Sequence, residues 1–129
     1  MRGDQEGKVI SLPQRRRSST VLIVDDDEEI RHVLRIMFEL EGFEIVGEAG
    51  TGLEAIPLAL KHQPDVVLLD FMMPGMDGEE TARMMRTIAP ESRIVAFSAV
   101  LDEKPDWSDS YLNKERVSEV IPLLERLIT

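Results

Sequence analysis

The feature that most narrows what this chain can fold into is a set of short, nearly unbroken apolar runs, each ending abruptly in a polar residue. Val21-Leu22-Ile23-Val24 stops at Asp25-Asp26-Asp27, Val66-Val67-Leu68-Leu69 at Asp70, and Ile94-Val95-Ala96-Phe97 at Ser98. A strand with one wet face alternates apolar and polar residues, so a continuous run implies a strand covered on both faces, as in a parallel sheet between helical layers. Helix-period segments fall between the runs. Ile30, Val33, Leu34, Met37 and Phe38 recur up to a stop at Gly42, and Ala82, Met84, Met85 and Ile88 follow a cap at Asp77. Thr51 and Glu54 form a capping box for a helix holding Leu53, Ile56, Leu58, Ala59 and Leu60, which Pro57 should bend or start late. Phe43–Gly47 and Tyr111–Asn113 supply the second and fifth strands. Ser118 is placed to cap a last helix through Leu124 and Ile128, with Pro122 in its first turn. The expected fold is α/β, a doubly wound five-stranded parallel sheet.

Doubly wound sheets build their sites at the carboxyl ends of the strands. That rule gathers Asp25 and Asp26, Asp70, Ser98 and Lys114 at one edge, since the Asp25-Asp26 pair and each of the others follow or end a different strand. Several carboxylates in a small volume raise one another's pKa and stay ionised only when a cation joins them. Oxygen ligands without His or Cys favour Mg2+ over zinc or copper. A hydroxyl, a lysine and Mg2+ around a central aspartate can clamp a phosphoryl group during in-line transfer, with Asp70 as the nucleophile that becomes an acyl phosphate.

Composition closes other routes. The chain has no cysteine, which excludes disulfides, thiolate metal sites and a cysteine nucleophile. No apolar stretch approaches the roughly 18–20 residues of a membrane span, and the start Met1-Arg2-Gly3-Asp4 lacks a signal-peptide core, so a cytoplasmic chain without membrane attachment is expected. Net charge is −10, unevenly spread: residues 1–19 carry +3, and from Thr20 onward 10 basic residues face 23 acidic ones, a balance of −13. Such a surface repels phosphate backbones, and no direct nucleic-acid binding is expected. Arg15-Arg16-Arg17 reads as a solvated part of a flexible N-terminal arm over 1–19, ahead of one domain over 20–129. His32 and His62 sit on helix faces without an acid-base partner, and Met72, Met73, Met76, Met84 and Met85 read as loop and core filling.

VLIVDDDEEIR at 21–31, DVVLLDFMMPGMDG at 65–78, IVAFSA at 94–99 and YLNK at 111–114, in this order, resemble the four signatures of the receiver domains of two-component response regulators. The resemblance covers about residues 20–128 and implies a flavodoxin-like receiver fold with strand order 2-1-3-4-5. It implies that Asp70 is the phosphoacceptor, Asp26 a direct Mg2+ ligand, Asp25 a ligand through water and Met72 a ligand through its carbonyl. Ser98 and Lys114 would hold the phosphoryl oxygens, and Tyr111 would move inward with Ser98 as the switch pair. The partners implied are a sensor histidine kinase or phosphotransfer protein, an effector the residues do not identify, and a second copy where homodimerisation is the output. Such a domain catalyses only its own phosphorylation and dephosphorylation.

Two departures bear on output. Only twelve residues separate Ser98 from Tyr111, and the stretch Leu101–Ser108 has little apolar periodicity, so the family's fourth helix should be shortened or melted. That helix forms part of the family's usual dimer and effector face. Glu115 stands where the family pattern has proline. Met72 and Val100, each two residues past a site residue, should hinder an attacking water and slow dephosphorylation. Trp107 is either a lid over the shortened region or an exposed anchor for a partner. Three other readings compete. A phosphorylation-independent scaffold would use the same fold, and an aspartate-nucleophile phosphatase would use the Asp25/Asp27 spacing, although Glu29 replaces that motif's usual threonine or valine. A flavodoxin-type cofactor module would have three aspartates repelling its phosphate.

Overall fold

The computed structural model describes residues 19–100 and 102–128, so the arm expected over 1–19 lies outside the described residues except for Ser19. β1 (Thr20–Val24) leads to α1 (Glu28–Leu40), β2 (Glu44–Ala49), α2 (Gly52–His62), β3 (Val66–Leu69), α3 (Gly78–Ile88), β4 (Arg93–Ser98) and β5 (Ser110–Asn113). A 3-10 segment over Lys114–Glu119 then enters α4 (Val120–Ile128). All pairings are parallel and the order is β2-β1-β3-β4-β5, as the resemblance implied.

The unbroken apolar runs are explained by two cores. Val21 and Ile23 of β1, with Val66 and Leu68 of β3, face one layer and pack with Leu34 and Phe38 of α1 and Val120 and Leu124 of α4. Their neighbours Leu22, Val24, Val67 and Leu69 face the other, against Ala55 and Ala59 of α2 and Ala82 and Met85 of α3. A period of two on a strand sends alternate residues to opposite faces, and here both faces are dry. α1 ends in a Schellman motif: Phe43 N–H donates to the Phe38 carbonyl, Gly42 N–H to that of Glu39, and Gly42 takes φ 90°. Asp77 and Glu80 make a full capping box on α3.

Four local readings need correction. β2 runs over Glu44–Ala49 rather than 43–47, because Phe43 leaves the strand to pack edge-on against Phe38 at 5.6 Å. α2 starts at Gly52 with Pro57 inside it, held by the Thr51 cap and by buried Ala55 and Ala59, while Leu53 and Leu60 face water. Glu54 reaches the Gly50 N–H, not that of Thr51, so that capping box is half formed. Ser118 caps nothing; Asn113 caps the 3-10 segment that precedes α4, although Pro122 does lie in the first turn of α4. Between β4 and β5 the described residues form turns and bends and no helix, as the short spacing anticipated. Arg86 of α3 fastens that connection, donating to the Trp107 carbonyl at 3.1 Å and pairing with Asp109 at 3.1 Å. Asp109 in turn accepts the Ile94 N–H at 2.7 Å.

Candidate functional site

Val24 of β1 pairs with Leu69 of β3, so the next residues, Asp25 and Asp70, emerge side by side from adjacent strands. The sheet ladder extends one step further to fix both backbones: Asp70 N–H donates to Val24 and Asp25 N–H to Ala49, each at 2.9 Å. Asp25, Asp26 and Asp70 each bring a carboxylate oxygen within 4.8 Å of the others. Asp25 and Asp70 are buried and Asp26 is exposed, which gives the cluster a dry floor and an open side.

Two buried carboxylates in contact need positive charge, and Lys114, arriving from the end of β5, supplies it. Its Nζ lies 2.7 Å from Asp25 Oδ2 and 3.3 Å from Asp70 Oδ2, and 5.9 Å from the centroid of the Phe97 ring. Burial and then the charge of Asp25 hold the Asp70 carboxyl above the ordinary aspartate range, with Lys114 pulling the other way. For Lys114 itself, burial works to lower the amine. The hydrogen bond and charge of Asp25, joined by those of Asp70, outweigh it and leave the amine above its ordinary value. The remaining lone pairs are placed by backbone donors, Asp27 N–H on Asp25 Oδ1 at 2.9 Å and Met72 N–H on Asp70 Oδ1 at 3.2 Å.

Ser98 closes β4 as a buried residue, its hydroxyl accepting the Val100 N–H at 3.4 Å. Tyr111 sits in β5 opposite Ala96, half-buried, with its hydroxyl donating to the Asp102 carbonyl at 2.9 Å. Met72 and Val100 are more than half exposed beside the cluster in sequence. Glu115 uses the N–H that a proline would lack, donating it to Asn113 Oδ1 at 2.9 Å. His32 is exposed and lies beside Arg35, away from the acids.

Three contributors escape a reading of the sequence. Arg31, six residues past Asp25, donates to the Asp25 carbonyl and pairs with Glu48 at 3.4 Å, tying the acidic loop to β2. Gly78 has no room for a side chain: a Cβ there would meet the Asp70 carbonyl oxygen and Phe71 Cα, each at 2.8 Å. Phe71 stacks on Trp107. The Asp77-Gly78 pair reads as a turn signal, which hides the close approach, and nothing local marks Arg31 or Phe71.

An all-oxygen cluster whose two buried members already share a lysine cation has the donor chemistry of a site for a hard divalent ion. On this fold, at the carboxyl edge of the central strands, that combination defines a class. Residues 21–110 match the family described as the response regulator receiver domain, and the chain belongs to that family.

Among its relatives, the transcriptional regulatory protein PdtaR of Mycobacterium tuberculosis is 40% identical over 106 residues, covering 78% of this chain and 52% of PdtaR. Sporulation initiation phosphotransferase F of Bacillus subtilis is 40% identical over 70 residues, 54% of this chain and 56% of that protein. The chain thus spans about half the length of these relatives. Among solved structures, the response regulator TrrA of Thermotoga maritima in complex with Mg2+-BeF superposes with a TM-score of 0.77 at 30% identity, over 85% of this chain and 99% of that one. No helix among the described residues is long and apolar enough to cross a membrane.

Proposed function

We propose that Asp70 accepts a phosphoryl group from a phosphohistidine of a sensor kinase or phosphotransfer protein, and that the modification switches the loops around Ser98 and Tyr111. The observation that carries this reading is the burial of Asp70 between Asp25 and Lys114 at the mouth of the sheet. In the transfer, the P–N bond to the donor imidazole breaks as a P–O bond to an Asp70 carboxylate oxygen forms. The imidazole nitrogen keeps the electron pair and takes a proton.

Asp25, Asp26, Asp70 and the Met72 carbonyl would hold Mg2+, which when bound neutralises charge on the phosphoryl oxygens. Lys114, which reaches Asp25 and Asp70 from the end of β5, would bring its ammonium to the same oxygens, and its raised amine keeps it charged. The Ser98 hydroxyl, which accepts the Val100 N–H, is free to turn and donate to a phosphoryl oxygen. That movement vacates space at the end of β4, into which the Tyr111 ring can turn once its hydroxyl leaves the Asp102 carbonyl. The domain turns over no separate substrate. The receiver unit takes in residues 20–129, with the preceding arm outside it.

Intact mass after incubation with acetyl phosphate and Mg2+ tests the reading. One added phosphoryl group, absent with a chelator and in Asp70→Asn, is expected. No addition from acetyl phosphate or from a panel of histidine kinases would favour a phosphorylation-independent scaffold.

A further inference from the structure

Phe71, the residue after Asp70, lies with its ring flat against the indole of Trp107, centroids 6.0 Å apart and planes 7° from parallel. Trp107 belongs to the connection between β4 and β5, and the backbone that carries it is fixed to α3 by the Arg86 bonds to its carbonyl and to Asp109. Phe71 is fixed as well, because its own carbonyl accepts the Gly78 N–H at 3.1 Å. Its two chain neighbours are joined across it by the bond from Met72 N–H to Asp70 Oδ1. Any change of charge or bonding at the Asp70 carboxylate alters that bond, and Phe71 is the one residue it spans.

We propose that the Phe71–Trp107 stack is a positioning contact that ties the backbone of the acid site to the β4–β5 connection and carries changes at Asp70 directly into it. This is a route separate from Ser98 and Tyr111, and it rests on the reading of Asp70 as the phosphoacceptor. Coupling is reciprocal: if occupation of Asp70 alters the stack, loss of the stack alters the affinity for whatever occupies Asp70 by the same factor. An aromatic pair in this geometry is worth about a 2- to 10-fold change in an equilibrium.

Trp107 is the chain's single tryptophan, so its emission reports on the contact without labelling. Beryllofluoride with Mg2+, added to the full chain, is expected to shift Trp107 emission in the wild type and not in Asp70→Asn. Phe71→Leu keeps an apolar side chain but removes the stacked ring. It should diminish the emission shift and change the affinity for beryllofluoride by about 2- to 10-fold by calorimetry. Trp107→Phe, which keeps a ring against Phe71, should leave the affinity near that of the wild type. Beryllofluoride bound by calorimetry with no emission response would overturn the proposal, as would wild-type affinity in Phe71→Leu. If calorimetry finds no Asp70-dependent binding and intact mass finds no phosphoryl addition, the phosphoacceptor reading itself falls, and this inference with it.

Discussion

The side chain of Asp70 carries a conflict that the rest of the site is arranged to hold: it is buried, beside a second buried carboxylate, with the Lys114 ammonium bridging the two. A group whose folded-state pKa is raised favours the fold while it is protonated. The contribution of Asp70 is therefore present below the ordinary aspartate value of about 4 and is lost as pH rises through the raised value. Metal-free protein is expected to lose stability relative to Asp70→Asn as pH rises from about 4 toward neutrality. Urea melts of the two proteins across that range check it, and parallel curves would contradict it. The exposed flank of the site supports a second expectation. Met72 and Val100 present apolar side chains, so Met72→Asn with Val100→Glu should hasten loss of the phosphoryl group by about 100-fold, the low end of what a positioned polar group adds to attack by water. Equal decay rates by intact mass would show that apolar screening is not what governs the lifetime.

At the scale of elements, α3 and the loop before it set where Asp70 stands, because Gly78 lets the helix start directly against the Asp70–Phe71 peptide. Gly78→Ala would drive a methyl into backbone atoms that cannot turn aside. It should cost about 1–3 kcal/mol of stability and slow phosphorylation, read by denaturant melts and intact-mass time courses. Wild-type values in both would show that the loop yields. The same element shows what sequence can and cannot convey. The Asp77 cap, the burial of Ala82 and Met85 and the helix stop were legible, because capping chemistry and 3.6-residue periodicity are local. The strand order and the convergence of Asp25, Asp26 and Asp70 were legible through the two-sided apolar runs and the receiver signatures. Arg31 on the Asp25 carbonyl, Phe71 on Trp107 and the tight seat of Gly78 were not, since each depends on segments brought together only by the completed sheet. The start of β2 was misplaced because Phe43 follows tertiary packing against Phe38 rather than its own strand propensity.

For the molecule as a whole, an excess of 13 negative charges from Thr20 onward surrounds a site that concentrates three of them. A divalent cation relieves that local repulsion in the folded state and finds no such cluster in the unfolded chain. Mg2+ at 100 times its Kd should then stabilise the fold by about 2.7 kcal/mol, raising Tm by on the order of 10 °C. Calorimetry with Asp26→Asn, expected to lose most of the rise, separates binding at this cluster from general screening; an equal rise in both would place the ion elsewhere. The absence of a helix between β4 and β5 among the described residues removes part of the family's usual output face, while the Arg86 fastening and the Phe71–Trp107 contact keep the connection joined to the acid site. The central claim is chemical: the phosphoryl group resides on Asp70. The most direct measurement is borohydride reduction of the phosphorylated chain followed by peptide mapping, since an acyl phosphate on aspartate is reduced to homoserine. The account predicts homoserine at position 70 alone, dependent on Mg2+; homoserine at another aspartate, or none in a chain that has gained a phosphoryl group, would contradict it.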